Sequence, residues 1–373
     1  MNKKIKICYV ISSLARGGPV NVLYNIVKFM DPAVYDISII TLVPENEANR
    51  VNDFKQLPVK LITVYGTGKL KPVSLYFNLK KAIKDLAPDI IHSHCPRSLF
   101  LLGVMPTKIK QSFTVHIYPG IQQIVMYGPL AGRAVIFLSK YFIKRIDLPI
   151  ACAENVADAL WQNEHLKVKA VPNCGSYLPT TISAQDKATL RDKLGLKQNV
   201  TYFIYIGRLS REKNIEFIVS TFNKLKMNNV GLIVLGEGAL QEVIDSYSFP
   251  NFIKPGFVEN VNEYILASDY YVSASLTEGL ANTLLETMAL GVPFLLSDIP
   301  PHYEVYNKDP EDFKGVIFKN NDEADFEKKV KELLAYPKDK AAEAGRRCFS
   351  NYYTPEKMSQ GYQDAYQEFL ANL

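Results

Sequence analysis

Short apolar runs recur along the chain, and amphipathic stretches separate many of them. In the first half the runs are IKICYVI (5–11), YDISIITLV (35–43), VKLITVY (59–65), DIIHSH (89–94), SFTVHI (112–117) and LPIACA (148–153). Segments such as NVLYNIVKFM and LYFNLKKAIKDL carry apolar positions at helical spacing between them. Nearly continuous apolar strands flanked by helices predict a parallel sheet covered on both faces. The pattern restarts at VTYFIYIGRL (200–209) and continues through GLIVLGEG (231–238), NFIKPGF (251–257), DYYVSAS (269–275), VPFLLSDI (292–299) and GVIFKN (315–320). Between the two series, KAVPNCGSYLPTTISAQDK is rich in Pro, Gly, Ser and Thr and reads as a linker. The expected architecture is α/β, with two Rossmann-like doubly wound domains facing each other across a cleft. Residues 1–174 form the first and 175–350 the second. An amphipathic closing helix over 351–373 is expected to pack back toward the N-terminal domain.

At 373 residues the chain suits two domains of ~150 residues each. No apolar run approaches the ~18 residues that span a bilayer. The opening MNKKIKICYVI imitates a signal peptide, but the apolar run is short and Arg16, Gly17 and Gly18 follow it. A buried first strand with a glycine loop accounts for it better. The five scattered cysteines lack C-x-x-C spacing, which suits reduced thiols in the cytosol. Charge changes the picture most. Residues 1–174 hold 22 Lys and Arg against 11 Asp and Glu, whereas the remainder is net acidic. Two domains with different partners are implied, the basic one meeting an anionic substrate, a membrane surface or nucleic acid. No recognised module or stacking platform supports nucleic acid.

Ligands of doubly wound sheets bind at the carboxyl ends of the strands, so the loops there carry the chemistry. After the first strand, Gly17 and Gly18 open a helix, which is either an anion site or a plain strand–helix turn. His92 and His94 share one face of a strand end; without a Cys or Asp cluster nearby they do not read as a metal site. His116 ends another strand before a Pro-Gly loop and faces the expected cleft. Arg208 and Lys213, in GRLSREKN, follow the first strand of the acidic domain. They suit phosphate oxygens, or else form a solvated loop. In TEGLANTLLETMALGVP, Glu278 precedes a helix start near Asn282 or Thr283, and Glu286 lies inside that helix. The helix start suits an anion. Thr283-x-x-Glu286 also matches a capping box, in which Glu286 would be structural. Glu278 has no such local duty, and carboxylates at a phosphate-rich mouth suit sugar hydroxyls.

The order GG loop, TVH, GRLSREKN, LGEG and EGLANTLLETMALGVP resembles the retaining GT-B glycosyltransferases of family 4, whose E-x7-E signature is matched by Glu278 and Glu286. The resemblance covers almost the whole chain. It implies that Glu286 holds the ribose of a nucleotide-sugar and that Glu278 binds the transferred sugar. Arg208 and Lys213 would neutralise the diphosphate, aided by Ala281, Asn282, Thr283 and the Gly17–Gly18 loop. Phe257 and Val258 would border the base, and His116 would lie near the reaction centre. GLAN after the first Glu departs from the aromatic or proline usual there, and PNCG replaces Pro-Asn-Gly. The implied reaction is sugar transfer with retention, without cofactor or metal. The donor would be a UDP-sugar, with GDP second, and the acceptor lipid-linked or a saccharide of cell-surface polysaccharide or glycolipid assembly. KLKPVSLYFNLKKAIK and AGRAVIFLSKYFIKRI mix cations with aromatic and apolar residues, as membrane-surface segments do; ordinary core-facing helices are the alternative. The implied location is cytoplasmic, peripheral at the inner face of the membrane. An epimerase of the same fold and a non-catalytic nucleotide-sugar-binding protein are the competing functions.

Overall fold

The structure, a computed structural model, describes residues 4–45, 49–67, 71–225, 227–309 and 312–372. The chain divides into two compact units: Met1–Cys174 with Pro355–Leu373, and Gly175–Thr354.

In the first unit, β1 (Ile5–Ile11), β2 (Tyr35–Thr41), β3 (Val59–Thr63), β4 (Ile90–Ser93), β5 (Lys110–Val115), β6 (Leu148–Ala151) and β7 (Lys169–Ala170) form one sheet. Its order is β3-β2-β1-β4-β5-β6-β7, with every pairing parallel. The apolar run of β1 explains why helices cover both faces. Ile7, Tyr9 and Ile11 enter a core shared with the helix Gly18–Lys28 and with Met358, Tyr362 and Tyr366 of the helix Pro355–Ala371. Cys8 and Val10, pointing the other way, join Leu79, Ile83 and Leu102. Successive residues of one strand therefore feed two cores, the two-residue period of an extended chain. Residues 358, 362, 365 and 366 form the apolar stripe of the closing helix.

The second unit repeats the plan. Its strands are β8 (Thr201–Ile206), β9 (Val230–Leu235), β10 (Phe252–Gly256), β11 (Tyr270–Ser273), β12 (Phe294–Ser297) and β13 (Gly315–Phe318), in the order β10-β9-β8-β11-β12-β13. Phe203, Val219, Leu232, Val272, Leu295 and Phe326 are among its fully buried residues. Both sheets thus show the Rossmann strand order, which reverses between β1 and β4 and again between β8 and β11.

The stretch read as a linker is more ordered than its composition suggests. Lys169 and Ala170 extend the first sheet by pairing with Ile150 and Ala151. Residues Ala184–Lys193 form a helix capped by Ser183, whose hydroxyl accepts the Asp186 amide at 3.1 Å. Arg191 from this helix reaches Asp269, just ahead of β11, at 2.6 Å. Lys187 and Lys338 close on the same carboxyl, which is held down to about 2 against the opposing effect of its burial. Among the described residues, no helix is long and apolar enough to cross a membrane.

Candidate active site

In the second unit, the loops after β8 and β11 flank the point where strand order reverses. Backbone pairing continues past the end of β8, with the Gly207 and Leu209 amides donating to Leu235 and Glu237 at 3.0 Å. This close approach needs the glycines of LGEG. A Cβ on Gly236 would lie 2.0 Å from the Gly207 carbonyl, and one on Gly238 would lie 2.4 Å from that of Leu209. The loop bearing Arg208 is thereby held by main chain on one side. On the other, the Tyr205 hydroxyl donates to the Arg208 carbonyl at 2.8 Å. The Arg208 guanidinium stays outward: its side chain is 59% exposed, and its ion-pair partner Glu212 is 4.0 Å away.

A short 3-10 turn, Arg211–Lys213, then turns the chain into the helix Ile215–Lys224. Glu212 is buried, accepts the Ser210 hydroxyl at 2.6 Å, and through its carbonyl accepts the Leu276 amide at 2.9 Å. The β8 and β11 loops are therefore tied together. The tie brings Lys213 onto Glu278, and the two form an ion pair. Glu278 also accepts the Ser275 hydroxyl at 2.8 Å. Burial pushes the Glu278 carboxyl up, but Lys213 and Ser275 outweigh it and hold the group below its ordinary range. Behind it, the Ser297 hydroxyl donates to the Ser275 carbonyl at 2.8 Å, and His302 lies 2.8 Å from the Ser297 carbonyl. Burial lowers His302 to about 4, so it is neutral at physiological pH.

Two sequence expectations need correction here. Glu278 does have a local duty, as the partner of Lys213 and Ser275. The capping box is not formed: the helix runs Asn282–Ala289 with Ala281 as its N-cap, so Thr283 is already its second residue. The Thr283 hydroxyl instead meets that of Tyr271 at 3.0 Å. Glu286 is the fifth helical residue, buried, and its charge adds to the burial that lifts the Tyr177 phenol to about 12. Gly175 of PNCG passes so near that a Cβ would lie 3.0 Å from the Glu286 amide nitrogen. At the end of β10, Gly256 takes the left-handed backbone at φ 81°, and after it Phe257 is exposed beside half-buried Val258.

The first unit carries the remaining candidates. Gly17 caps the helix Gly18–Lys28 with extended backbone, and a Cβ there would meet only the Ala15 carbonyl, at 4.0 Å. The turn alone therefore does not require glycine. His116, after β5, lies 3.2 Å from His94 through ring nitrogens, while its carbonyl accepts the Cys152 thiol at 3.1 Å. Burial pushes His116 down to about 4. His92 is enclosed between Thr114 at 2.8 Å and Tyr366 at 2.6 Å. Sequence reasoning passed over Ser275, Glu212 and the tyrosines of the closing helix. The i, i+4 spacing of Tyr362 and Tyr366 was the available signal for the last.

Two successive Rossmann-like units, each built on a parallel sheet of this strand order, have the architecture of the GT-B fold. HepE of Anabaena, solved with UDP-glucose, shares this fold at a TM-score of 0.77 and 17% identity, over 99% of this chain and 100% of that one. The model of Glycosyltransferase Family 4 matches residues 16–174 and that of Glycosyl transferases group 1 matches residues 186–347. The chain belongs to the GT-B glycosyltransferases of family 4. It is 23% identical over 335 residues to the alpha-monoglucosyldiacylglycerol synthase of Acholeplasma laidlawii, covering 82% of each chain. It is likewise 23% identical over 320 residues to the UDP-Gal:alpha-D-GlcNAc-diphosphoundecaprenol alpha-1,3-galactosyltransferase of Escherichia coli, covering 80% of each.

Proposed function

We propose that this glycosyltransferase moves a hexose or N-acetylhexosamine from a UDP-sugar to a lipid-linked or saccharide acceptor, retaining the anomeric configuration and needing no metal. The observation that carries the proposal is the Lys213–Glu278 pair beside the outward Arg208 guanidinium, at the mouth of β8 and β11. The loss of a nucleoside diphosphate develops negative charge on its phosphate oxygens. Arg208 is free to swing onto them, Lys213 adds a second positive centre, and the positive end of the helix Asn282–Ala289 a third. Glu278, kept ionised, accepts hydroxyls of the transferred sugar. Glu286 takes the ribose, with Ala281, Asn282 and Thr283 near the diphosphate. Exposed Phe257, with Val258, offers a face for the base. From the first unit, Gly17 and Gly18 admit the diphosphate closely and His116 meets the donor sugar. The departing phosphate oxygen takes the acceptor proton.

UDP is favoured over GDP because the Anabaena neighbour was solved with UDP-glucose and the E. coli relative is named for UDP-Gal. A lipid-linked acceptor is supported by the two relatives' names, one a diacylglycerol derivative and one a diphosphoundecaprenol. It is also supported by the surface of the first unit. Among the described residues, eight exposed large apolar side chains, from Ile121 to Tyr141, gather on the helices Ile121–Tyr127 and Pro129–Ile143. Leu130 is 83% and Phe137 68% exposed, and Arg133, Lys144 and Arg145 are exposed beside them. Such a surface fits the cytoplasmic face of an anionic bilayer. Lys69 and Leu70, at the head of the other basic segment, lie outside the described residues. The proposal is tested by incubating the protein with a panel of UDP- and GDP-sugars and EDTA, following nucleotide release and the anomeric proton of the product. Release from one UDP-sugar, undiminished by chelator, with an unchanged anomeric configuration is expected. Inversion, or release only with added metal, would refute the mechanism.

A further inference from the structure

A buried hydrogen-bond chain runs through the first unit. The Tyr9 hydroxyl donates to Met30 Sδ at 3.5 Å and lies 3.1 Å from the Tyr366 hydroxyl. The latter is 2.6 Å from His92 Nδ1. His92 Nε2 is 2.8 Å from Thr114 Oγ1, which is 2.9 Å from the Tyr362 hydroxyl. Only one direction along the chain uses every proton. Tyr362 donates to Thr114, Thr114 to His92 Nε2, His92 Nδ1–H to Tyr366, Tyr366 to Tyr9, and Tyr9 to Met30. The opposite direction leaves the Tyr362 proton without an acceptor among the described residues. An unmade buried donor costs about 1–3 kcal/mol. His92 is thus neutral with its proton on Nδ1, and burial that lowers it to about 3 agrees.

His94 stacks on His92 with ring centroids 4.7 Å apart. Its Nδ1 lies 3.2 Å from His116 Nε2, while its Nε2 is buried without a partner among the described residues. A buried N–H lacking an acceptor is the rarer defect, a bare lone pair the commoner. The His94 proton therefore sits on Nδ1 and is donated to His116 Nε2. His116, itself neutral, must then carry its own proton on Nδ1, the nitrogen left for a ligand. We propose that His94 is a positioning residue that locks His116 as its Nδ1–H tautomer, so that His116 offers the donor sugar a hydrogen-bond donor rather than a lone pair. The catalytic side of this proposal rests on His116 meeting the donor sugar; the tautomer does not.

Long-range proton–nitrogen spectra of the full chain labelled with 15N-histidine test it, with His116 assigned by its loss in His116→Asn. The expected spectrum shows His116 protonated at Nδ1 and bare at Nε2, and a proton on Nε2 overturns the proposal. In His94→Leu, His116 should become a mixture of tautomers and kcat should fall about tenfold, the worth of one hydrogen bond. His94→Asn, whose amide nitrogen stands where Nδ1 stood, should recover both. If Asn fails as Leu does while the His116 signals are unchanged, His94 is not a positioning residue. If the tautomer is as expected but no nucleotide-sugar is turned over, the fault lies with the proposed function instead.

Discussion

Replacing Lys213 by alanine isolates the electrostatics of the candidate site. Glu278 is 12% exposed and Lys213 25%, so the change strands a largely buried carboxylate. Removing one member of a fully buried pair costs roughly 3–5 kcal/mol. Here Lys213 is partly hydrated and Ser275 still donates to Glu278, which screens and compensates the loss to about 2 kcal/mol. In a unit of this size, about 2 kcal/mol lowers Tm by roughly 4–8 °C. The pH dependence gives the sharper test. In the native protein the Glu278 carboxyl is held below its unfolded value of 4.5, so its stabilisation is present above that pH and lost as pH falls through the folded pKa. Without Lys213, burial dominates and the folded pKa rises above the unfolded one. The variant then takes up a proton on folding, and its deficit shrinks as pH drops from neutral toward about 5. Melting curves at several pH values, for Lys213→Ala, Glu278→Gln and the double variant, measure both effects. The double variant should recover much of the loss. A deficit that is independent of pH, with strictly additive single effects, would refute the coupling.

Arg208→Ala removes a side chain with little structural engagement, so Tm should move by no more than about 2 °C. Transfer should meanwhile fall about 10²–10³-fold, and near-normal turnover would remove Arg208 from the diphosphate site. Glu286→Gln should weaken UDP binding about tenfold by calorimetry, one hydrogen bond's worth; unchanged affinity with a lowered Tm would make Glu286 purely structural. Leu130→Ser with Phe137→Ser should abolish flotation with anionic liposomes while leaving the melting curve in place, and undiminished flotation would place lipid contact elsewhere.

Strands were legible wherever an apolar run fed two faces, as in β1, because an unbroken apolar strand needs cover on both sides. The two-residue β7 was not, since Lys169–Ala170 is too short to show any period and sits in Pro- and Gly-rich surroundings. Arg208 and Glu278 could be picked out because each follows a strand whose place in the sheet decides where its loop lies. Which of these side chains pair with one another could not. Lys213 and Glu278 are 65 residues apart, and Thr114 and Tyr362 are 248 apart; only the folded sheet makes such pairs neighbours. The capping-box expectation failed through helix register. Thr283 sits two residues beyond the N-cap, where its hydroxyl serves Tyr271, and sequence motifs locate a helix start only to within a residue or two.

The return of Pro355–Ala371 to the first unit has a consequence for biosynthesis. Met358, Tyr362 and Tyr366 are wholly enclosed beside Tyr9 and Val27, so a segment translated after the second unit completes a core whose other members were translated before that unit. All of Gly175–Thr354 leaves the ribosome before that core can close, reversing the usual order in which the amino-terminal part of a nascent chain matures ahead of the rest. A transcript stopping at Thr354 would yield a protein whose earlier-made half, not its newest, is the one left unfinished.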